Sequence, residues 1–122
     1  SLRCMPQVHG AVRDLFAFTR KQLAIEINSV TDNPLLFPEN NEILLGGNFH
    51  GEPVAFALDL LAIGLTELSS ISERRIFRLL DPNLSGLDPF LVKKSGLNPG
   101  LMMLQTTAAT LVAQNRILSH PA

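Results

Sequence analysis

The octapeptide at residues 46–53, GGNFHGEP, is followed directly by an apolar run and places the strongest constraint on how this chain folds. Its glycines allow tight turns and close approach of the backbone. Pro53 marks the first turn of a helix, because proline at that position loses only an N–H that would be unpaired anyway. A polar cluster is therefore expected at the positive end of a long helix, where an anion or a carboxylate is stabilised.

Apolar residues at three- and four-residue spacing predict an all-α chain with three main helices and two long loops. The helices are expected at about residues 6–28, 53–80 and 99–118. The first half of the second helix is apolar almost all round, which indicates burial on several sides. Its second half carries charged residues and should reach solvent or a partner.

The loops and the third helix carry their own signals. The long loop at residues 29–48 is rich in Asn, Pro and Gly, and its segment 43–45 is able to form a short strand. Asn98 is expected to cap the third helix, with Pro99 in its first turn. This helix has no charged residue from Gly100 to Asn115. Such a helix belongs in the middle of a bundle or in a subunit interface.

Composition narrows the classes of partner. The 122 residues fit one domain, and 46% of them are hydrophobic, enough for a core. Ten basic residues stand against eleven acidic ones, so neither nucleic acid nor an anionic membrane is an expected partner. The apolar run Val54–Leu65 contains Asp59 and is too short to span a bilayer. The single Cys4 excludes an internal disulfide and suits a reducing, cytoplasmic compartment.

Several motifs in a fixed order make the chain resemble the aromatic amino-acid ammonia-lyases. Besides the octapeptide, they are SLRC at 1–4, VTDNPL at 30–35, SERR at 72–75, LSGL at 84–87, QTTAA at 105–109 and HPA at 120–122. Arg3-Cys4, Phe49-His50 and the final HPA are similar to the histidine branch of that family. Because the chain begins and ends inside such motifs, we expect it to be an internal fragment of the central helical region of a larger lyase.

The resemblance implies the chemistry of the parent enzyme, which is conversion of L-histidine to urocanate and ammonia. The family uses a methylidene-imidazolone electrophile formed from an internal Ala-Ser-Gly. No Ala-Ser-Gly occurs in these residues, so the cofactor is expected to form outside this segment and the segment alone to be inactive. Family members are homotetramers whose active sites draw on more than one subunit. Self-association and a small amino-acid substrate are therefore expected.

The resemblance also assigns residues to the site. Arg3 matches the arginine that pairs with the substrate carboxylate, a task suited to a guanidinium that forms two parallel hydrogen bonds. Phe49 matches a phenylalanine near the electrophile, although it would also suit a core. His50 is expected to contact substrate or a partner, and Glu52 to fix the junction between loop and helix. The three histidines are scattered without metal-ligand spacing, so no metal site is expected.

Gln114 departs from the histidine branch, where the resemblance implies a glutamate that helps in proton transfer or recognises the imidazole. A glutamine cannot exchange a proton at neutral pH. Either another base operates, or the substrate differs, or the variant is tolerated. A structural alternative is that Gln114, like Gln105, is a buried amide that hydrogen-bonds between helices. Two alternatives thus remain open: a lyase or aminomutase segment for another amino acid, or a non-catalytic helical assembly module.

Overall fold

The computed structural model describes residues 3–121, and these residues are mainly helical. In chain order the elements are α1 (Met5–Ile27), β1 (Leu35–Phe37), β2 (Glu42–Leu44), α2 (Glu52–Leu80), α3 (Pro82–Ser85) and α4 (Met102–Leu118). The predicted all-α class is confirmed, with α1, α2 and α4 as the three main helices. The chain divides into two compact units, residues 1–61 and 62–122.

In the first unit, one face of α1 packs against the start of α2. Val12 and Thr19 are buried and lie seven residues apart, so they share a face of the helix. The Thr19 hydroxyl donates a hydrogen bond to the Ala57 carbonyl oxygen at 3.2 Å, and Ala57 is itself buried. The predicted apolar stripe of α1 thus forms at its centre, whereas Ile27 at its end is exposed.

A small hairpin follows α1. Strands β1 and β2 pair antiparallel, with Leu35 opposite Leu44 and Phe37 opposite Glu42. A short 3-10 turn at Pro38–Asn40 connects them and ends at Asn41, whose φ of 50° is left-handed. Asparagine tolerates that conformation better than most residues. The strand predicted near residues 43–45 is therefore present one residue earlier, at 42–44.

In the second unit, polar side chains lie between α2 and α4. The Thr66 hydroxyl donates to the Asn115 carbonyl oxygen at 3.2 Å, and the Asn115 amide donates to the Ser69 hydroxyl at 3.1 Å. The Arg116 guanidinium reaches the Ser70 hydroxyl at 3.4 Å. Hydrogen bonds depend on direction and distance, so this polar seam fixes the register of the two helices.

The start of the third main helix differs from the prediction. It begins at Met102, not at Pro99, because Gly100 adopts a left-handed φ of 53° that interrupts helical conformation. The expected cap, Asn98, uses its amide elsewhere and donates to the Lys93 carbonyl oxygen at 3.2 Å. A Cβ at position 100 would lie 2.4 Å from the Phe90 carbonyl oxygen, so only glycine fits this turn without strain.

Few apolar side chains are buried among residues 3–121. The buried hydrophobic residues are Val12, Ala57, Leu80 and Val112. In the first half of α2, where burial on several sides was predicted, Phe56 is 60% exposed, and Leu58 and Leu60 are also exposed. Burial of that kind needs further helices against α2, and the described residues do not supply them.

The segment Asn48–Leu80 is long and apolar enough to cross a membrane, and its most apolar stretch of 18 residues has a mean hydropathy of 1.7. The helix continues beyond the run Val54–Leu65 to Leu80, so the length expected from that run alone is an underestimate. The core helix of a soluble protein meets the same criterion, so length and composition alone are weak evidence for a membrane span.

Candidate functional site

The octapeptide forms a tight turn into α2. Residues Asn48–His50 make a 3-10 turn that ends at Gly51, whose φ of 79° is left-handed. The Gly51 carbonyl oxygen accepts hydrogen bonds from the Val54 and Ala55 N–H groups at 3.0 and 3.1 Å. Gly51 therefore reverses the chain and also opens the helix. The predicted helix start is confirmed, at Glu52, one residue before Pro53.

A side-chain hydrogen bond connects the octapeptide with the VTDNPL motif at residues 30–35. The Asn33 side-chain oxygen accepts from the Gly46 N–H at 3.1 Å, and the Asn33 N–H donates to the Asp32 carboxylate at 2.7 Å. Asn33 and Gly46 stand two positions beyond the Leu35–Leu44 pair, so this bond extends the register of the hairpin. It holds in place the backbone that leads to Phe49 and His50.

A pocket of about 270 Å³ lies between the end of α1 and the octapeptide. Its lining residues are Glu26, Ser29, Val30, Thr31, Gly47, Asn48, His50, Gly51 and Pro53. His50 and Glu26 are its two titratable side chains. The His50 Nδ1 atom lies 3.3 Å from the Glu52 carboxylate, and both side chains are at least half exposed. Phe49, beside His50, is 60% exposed and is not a core aromatic within this chain.

Arg3 lies far from this pocket within one chain. It is exposed in the turn that precedes α1, whereas the pocket includes Glu26 at the other end of that helix. The 23 residues of α1 separate the two ends by roughly 35 Å at about 1.5 Å per residue. A single copy of this segment therefore does not bring Arg3 and His50 to the same amino acid.

Gln114 is exposed on α4, whereas the side-chain amides that hydrogen-bond between the helices are those of Asn115, the next residue, and Gln105. Gln105 donates from its side-chain nitrogen to the Glu73 carboxylate at 3.1 Å, across to α2. The residue identified by resemblance thus takes no part in the seam between the helices, whereas Gln105 joins them.

Glu73 is a buried charged residue that sequence reasoning missed. It was grouped with the solvent-facing charges of α2, yet it is only 4% exposed. The Arg74 guanidinium forms two hydrogen bonds with its carboxylate, of 2.5 and 2.6 Å. The bonds from Arg74 hold the pKa of Glu73 below its ordinary value; burial opposes this shift, and the Gln105 hydrogen bond and the Arg74 and Arg116 charges add to it. The signal available in the sequence was the acidic Glu73 directly beside the basic Arg74, a pair able to neutralise a buried charge.

A second, largely apolar pocket of about 230 Å³ lies beside Gln105. Its lining residues are Phe77, Leu80, Asp81, Pro82, Phe90 and Gln105. The Arg74 guanidinium lies 4.9 Å from the centre of the Phe77 ring, a cation–π distance.

As regards metals, the described part of the chain contains no group of three or more His, Cys, Asp or Glu side chains that could hold an ion.

The family model for aromatic amino acid lyases matches residues 1–122. The chain belongs to the aromatic amino acid lyase family.

Two relatives within the family are histidine ammonia-lyases. The chain is 62% identical to a histidine ammonia-lyase of Stigmatella aurantiaca and 59% identical to one of Caldanaerobacter subterraneus subsp. tengcongensis. In each case all of this chain aligns with 24% of the relative, so it spans about a quarter of their length.

Solved structures agree on the fold. Histidine ammonia-lyase from Trypanosoma cruzi is 53% identical, with a TM-score of 0.94 over 98% of this chain and 24% of that one. Tyrosine aminomutase from Streptomyces globisporus is 50% identical, with a TM-score of 0.88 over 95% of this chain and 22% of that one.

Proposed function

We propose that this chain is a segment of a histidine ammonia-lyase, which converts L-histidine to urocanate and ammonia. The observation that carries the proposal is the identity of 62% and 59% to two histidine ammonia-lyases along the whole segment. The identity to the tyrosine aminomutase is lower, at 50%. The pairs Arg3-Cys4 and Phe49-His50 support the same branch.

In the whole enzyme, Arg3 binds the carboxylate of the substrate and Phe49 and His50 contribute to the amino-acid site. Arg3 is exposed and precedes α1, so its guanidinium is accessible to a carboxylate from outside this segment. Gln114 is also exposed, which leaves its side chain accessible to substrate or to a further part of the enzyme. Its amide would bind a neutral donor or acceptor and not transfer a proton.

The electrophile of this enzyme is a methylidene-imidazolone from an Ala-Ser-Gly outside these residues, and it would supply the group that activates the amino nitrogen for elimination. The 122 residues do not contain that triplet. Consequently, the isolated segment should not form urocanate.

The working enzyme is proposed to be a cytoplasmic homotetramer. Arg3 and the His50 pocket lie at opposite ends of α1, so a site that uses both requires more than one copy of the segment. Exposed apolar side chains on α2 and α4, such as Phe56 and Leu111, also need covering helices. We assign that cover to protein and not to lipid, because α2 already packs through Ala57 onto α1.

The test is steady-state kinetics of the full-length enzyme on L-histidine, L-tyrosine and L-phenylalanine in parallel. Urocanate absorbance should rise with L-histidine, and kcat/KM for it should exceed that for the other two. Formation of β-amino acids from L-tyrosine or L-phenylalanine without urocanate would identify an aminomutase instead. The isolated segment serves as the matched negative sample, and sedimentation should show it self-associated.

A further inference from the structure

The His50–Glu52 pair spans the residue that opens α2. His50 ends the 3-10 turn, Gly51 reverses the chain with its left-handed φ of 79°, and Glu52 is the first residue of the helix. This reversal brings the Glu52 carboxylate to 3.3 Å from the Nδ1 atom of the imidazole. The pair therefore depends on local backbone geometry and not on distant packing.

A carboxylate beside one ring nitrogen determines where a neutral imidazole keeps its proton. The Glu52 charge favours the proton on Nδ1, which leaves the lone pair on Nε2. A neutral imidazole then offers Nε2 as a hydrogen-bond acceptor. The Nε2 acceptor is part of an imidazole ring that lines the pocket of about 270 Å³.

We propose that Glu52 is a positioning residue that fixes the Nδ1–H tautomer of His50, so that Nε2 accepts a hydrogen bond from an N–H of the bound amino acid. This inference rests on the proposed function, since it takes an amino acid as the ligand of the pocket. Glu52 on α2 contacts the His50 ring, and the pocket that His50 lines includes one other titratable side chain, Glu26 at the end of α1.

The effect is separable from folding. Both side chains of the pair are at least half exposed, and exposed ion pairs contribute little to stability. Loss of the Glu52 carboxylate should therefore change the tautomer of the neutral His50 ring while leaving the melting temperature almost unchanged. A merely structural role would produce the opposite pattern.

The first test reads the tautomer directly in the full-length enzyme. Nitrogen NMR of isotopically labelled histidine under magic-angle spinning, with the His50 signal assigned by its loss in His50→Gln, should show the proton on Nδ1 in the wild type. In Glu52→Ala it should move to Nε2. A wild-type His50 with its proton on Nε2 would overturn the proposal, whatever the enzyme's substrate is.

The second test uses kinetics on whichever amino acid the wild-type enzyme turns over. Glu52→Ala should lower kcat/KM on the order of tenfold, by analogy with partners that orient metal-binding histidines. Glu52→Gln should retain most activity, because its amide oxygen still accepts from Nδ1–H.

A double-variant cycle links the effect to His50. In the His50→Gln background, Glu52→Ala should cause no further loss, since a residue that acts through another is not additive with it. Glu39→Gln, an exposed glutamate outside the pocket, is the matched control. Additive losses, or a Glu52→Ala enzyme with kcat/KM within twofold of the wild type, would contradict the inference. Failure of the proposed function would show separately, as absent urocanate.

Discussion

The Glu73 carboxylate on α2 accepts a hydrogen bond from the Gln105 amide on α4, and both residues sit in a seam of polar contacts between two largely apolar helices. The carboxylate is also held by Arg74 through two hydrogen bonds. Hydrophobic contacts tolerate sliding, whereas hydrogen bonds of this kind do not. The pair thus fixes the register of the helices in the second unit.

Replacing Glu73 with alanine should destabilise this unit by about 1–3 kcal/mol, because the Gln105 amide would lose its acceptor in a partly buried site. Denaturant unfolding of the full-length enzyme measures the change. Glu67→Ala, an exposed glutamate on the same helix, should change stability by less than about 0.5 kcal/mol. Equal effects of the two variants would contradict the role of the pair.

Acidification should weaken the same contact. The pKa of Glu73 in the folded chain lies below the ordinary value of 4.5, mainly because Arg74 hydrogen-bonds to its carboxylate. The resulting stabilisation is fully present above the unfolded pKa and is lost as the pH falls from 4.5 through the lower folded pKa. Glu73→Gln should lack this component, so unfolding curves of the two proteins should converge as the pH falls below that range.

Two glycines offer a matched pair with opposite expected signs. Gly100→Ala should destabilise by more than about 1 kcal/mol, because its Cβ would lie 2.4 Å from the Phe90 carbonyl oxygen and its φ is left-handed. Gly10→Ala in α1 meets no atom within 4 Å and should stabilise by about 0.5–1 kcal/mol. Melting temperatures of the two full-length variants check the signs, and a neutral Gly100→Ala would refute the close approach.

Asn33→Ala should loosen the octapeptide turn. Its side-chain oxygen accepts from the Gly46 N–H, and the loss of about 1 kcal/mol would speed exchange of that amide roughly fivefold. Hydrogen-exchange mass spectrometry of the peptide covering residues 46–51 measures the rate. Asn33→Asp keeps an acceptor and should preserve protection, as should Asn40→Ala in the hairpin turn. Unchanged exchange in Asn33→Ala would show that other contacts hold the turn.

Arg3→Ala should damage catalysis more than Gln114→Ala in the full-length enzyme. Loss of a charge-assisted pair with a carboxylate costs on the order of 2–4 kcal/mol, or roughly 30- to 1000-fold in kcat/KM. A neutral amide contributes about 1–2 kcal/mol. Gln114→Glu is the sharper variant, because a histidine lyase with a tolerated amide should keep or gain activity. An Arg3→Ala enzyme with near-normal kcat/KM would exclude the carboxylate role.

Local patterns predicted the long elements of this fold well. The spacing of apolar residues located α1 and α2 to within about a residue, since helical periodicity persists over many turns. Gly51 and Pro53 located the start of α2, because the residues that mark the start of a helix are adjacent to it in the sequence. The start of α4 was misplaced because the left-handed turn at Gly100 depends on contact with Phe90, ten residues earlier in the chain.

The candidate site was less predictable. Resemblance identified Arg3, Phe49, His50 and Gln114, and their roles stay predictions. The burial of Glu73 was not predicted, because the other charged residues in the second half of α2 are exposed. Its burial depends on Gln105, which lies on another helix. Pairings across elements of this kind are set by packing and not by local propensity.

The hairpin between the two loop motifs constrains the family's tolerance of insertions. Leu35 pairs with Leu44, and Asn33 binds Gly46 in the same register. Both contacts therefore require the same number of residues in each strand. Adding a single residue within a strand would turn its side chains to the opposite face. Length variation should therefore be confined to the 38–41 connection, where extra residues would extend the tip and leave the geometry of the octapeptide untouched.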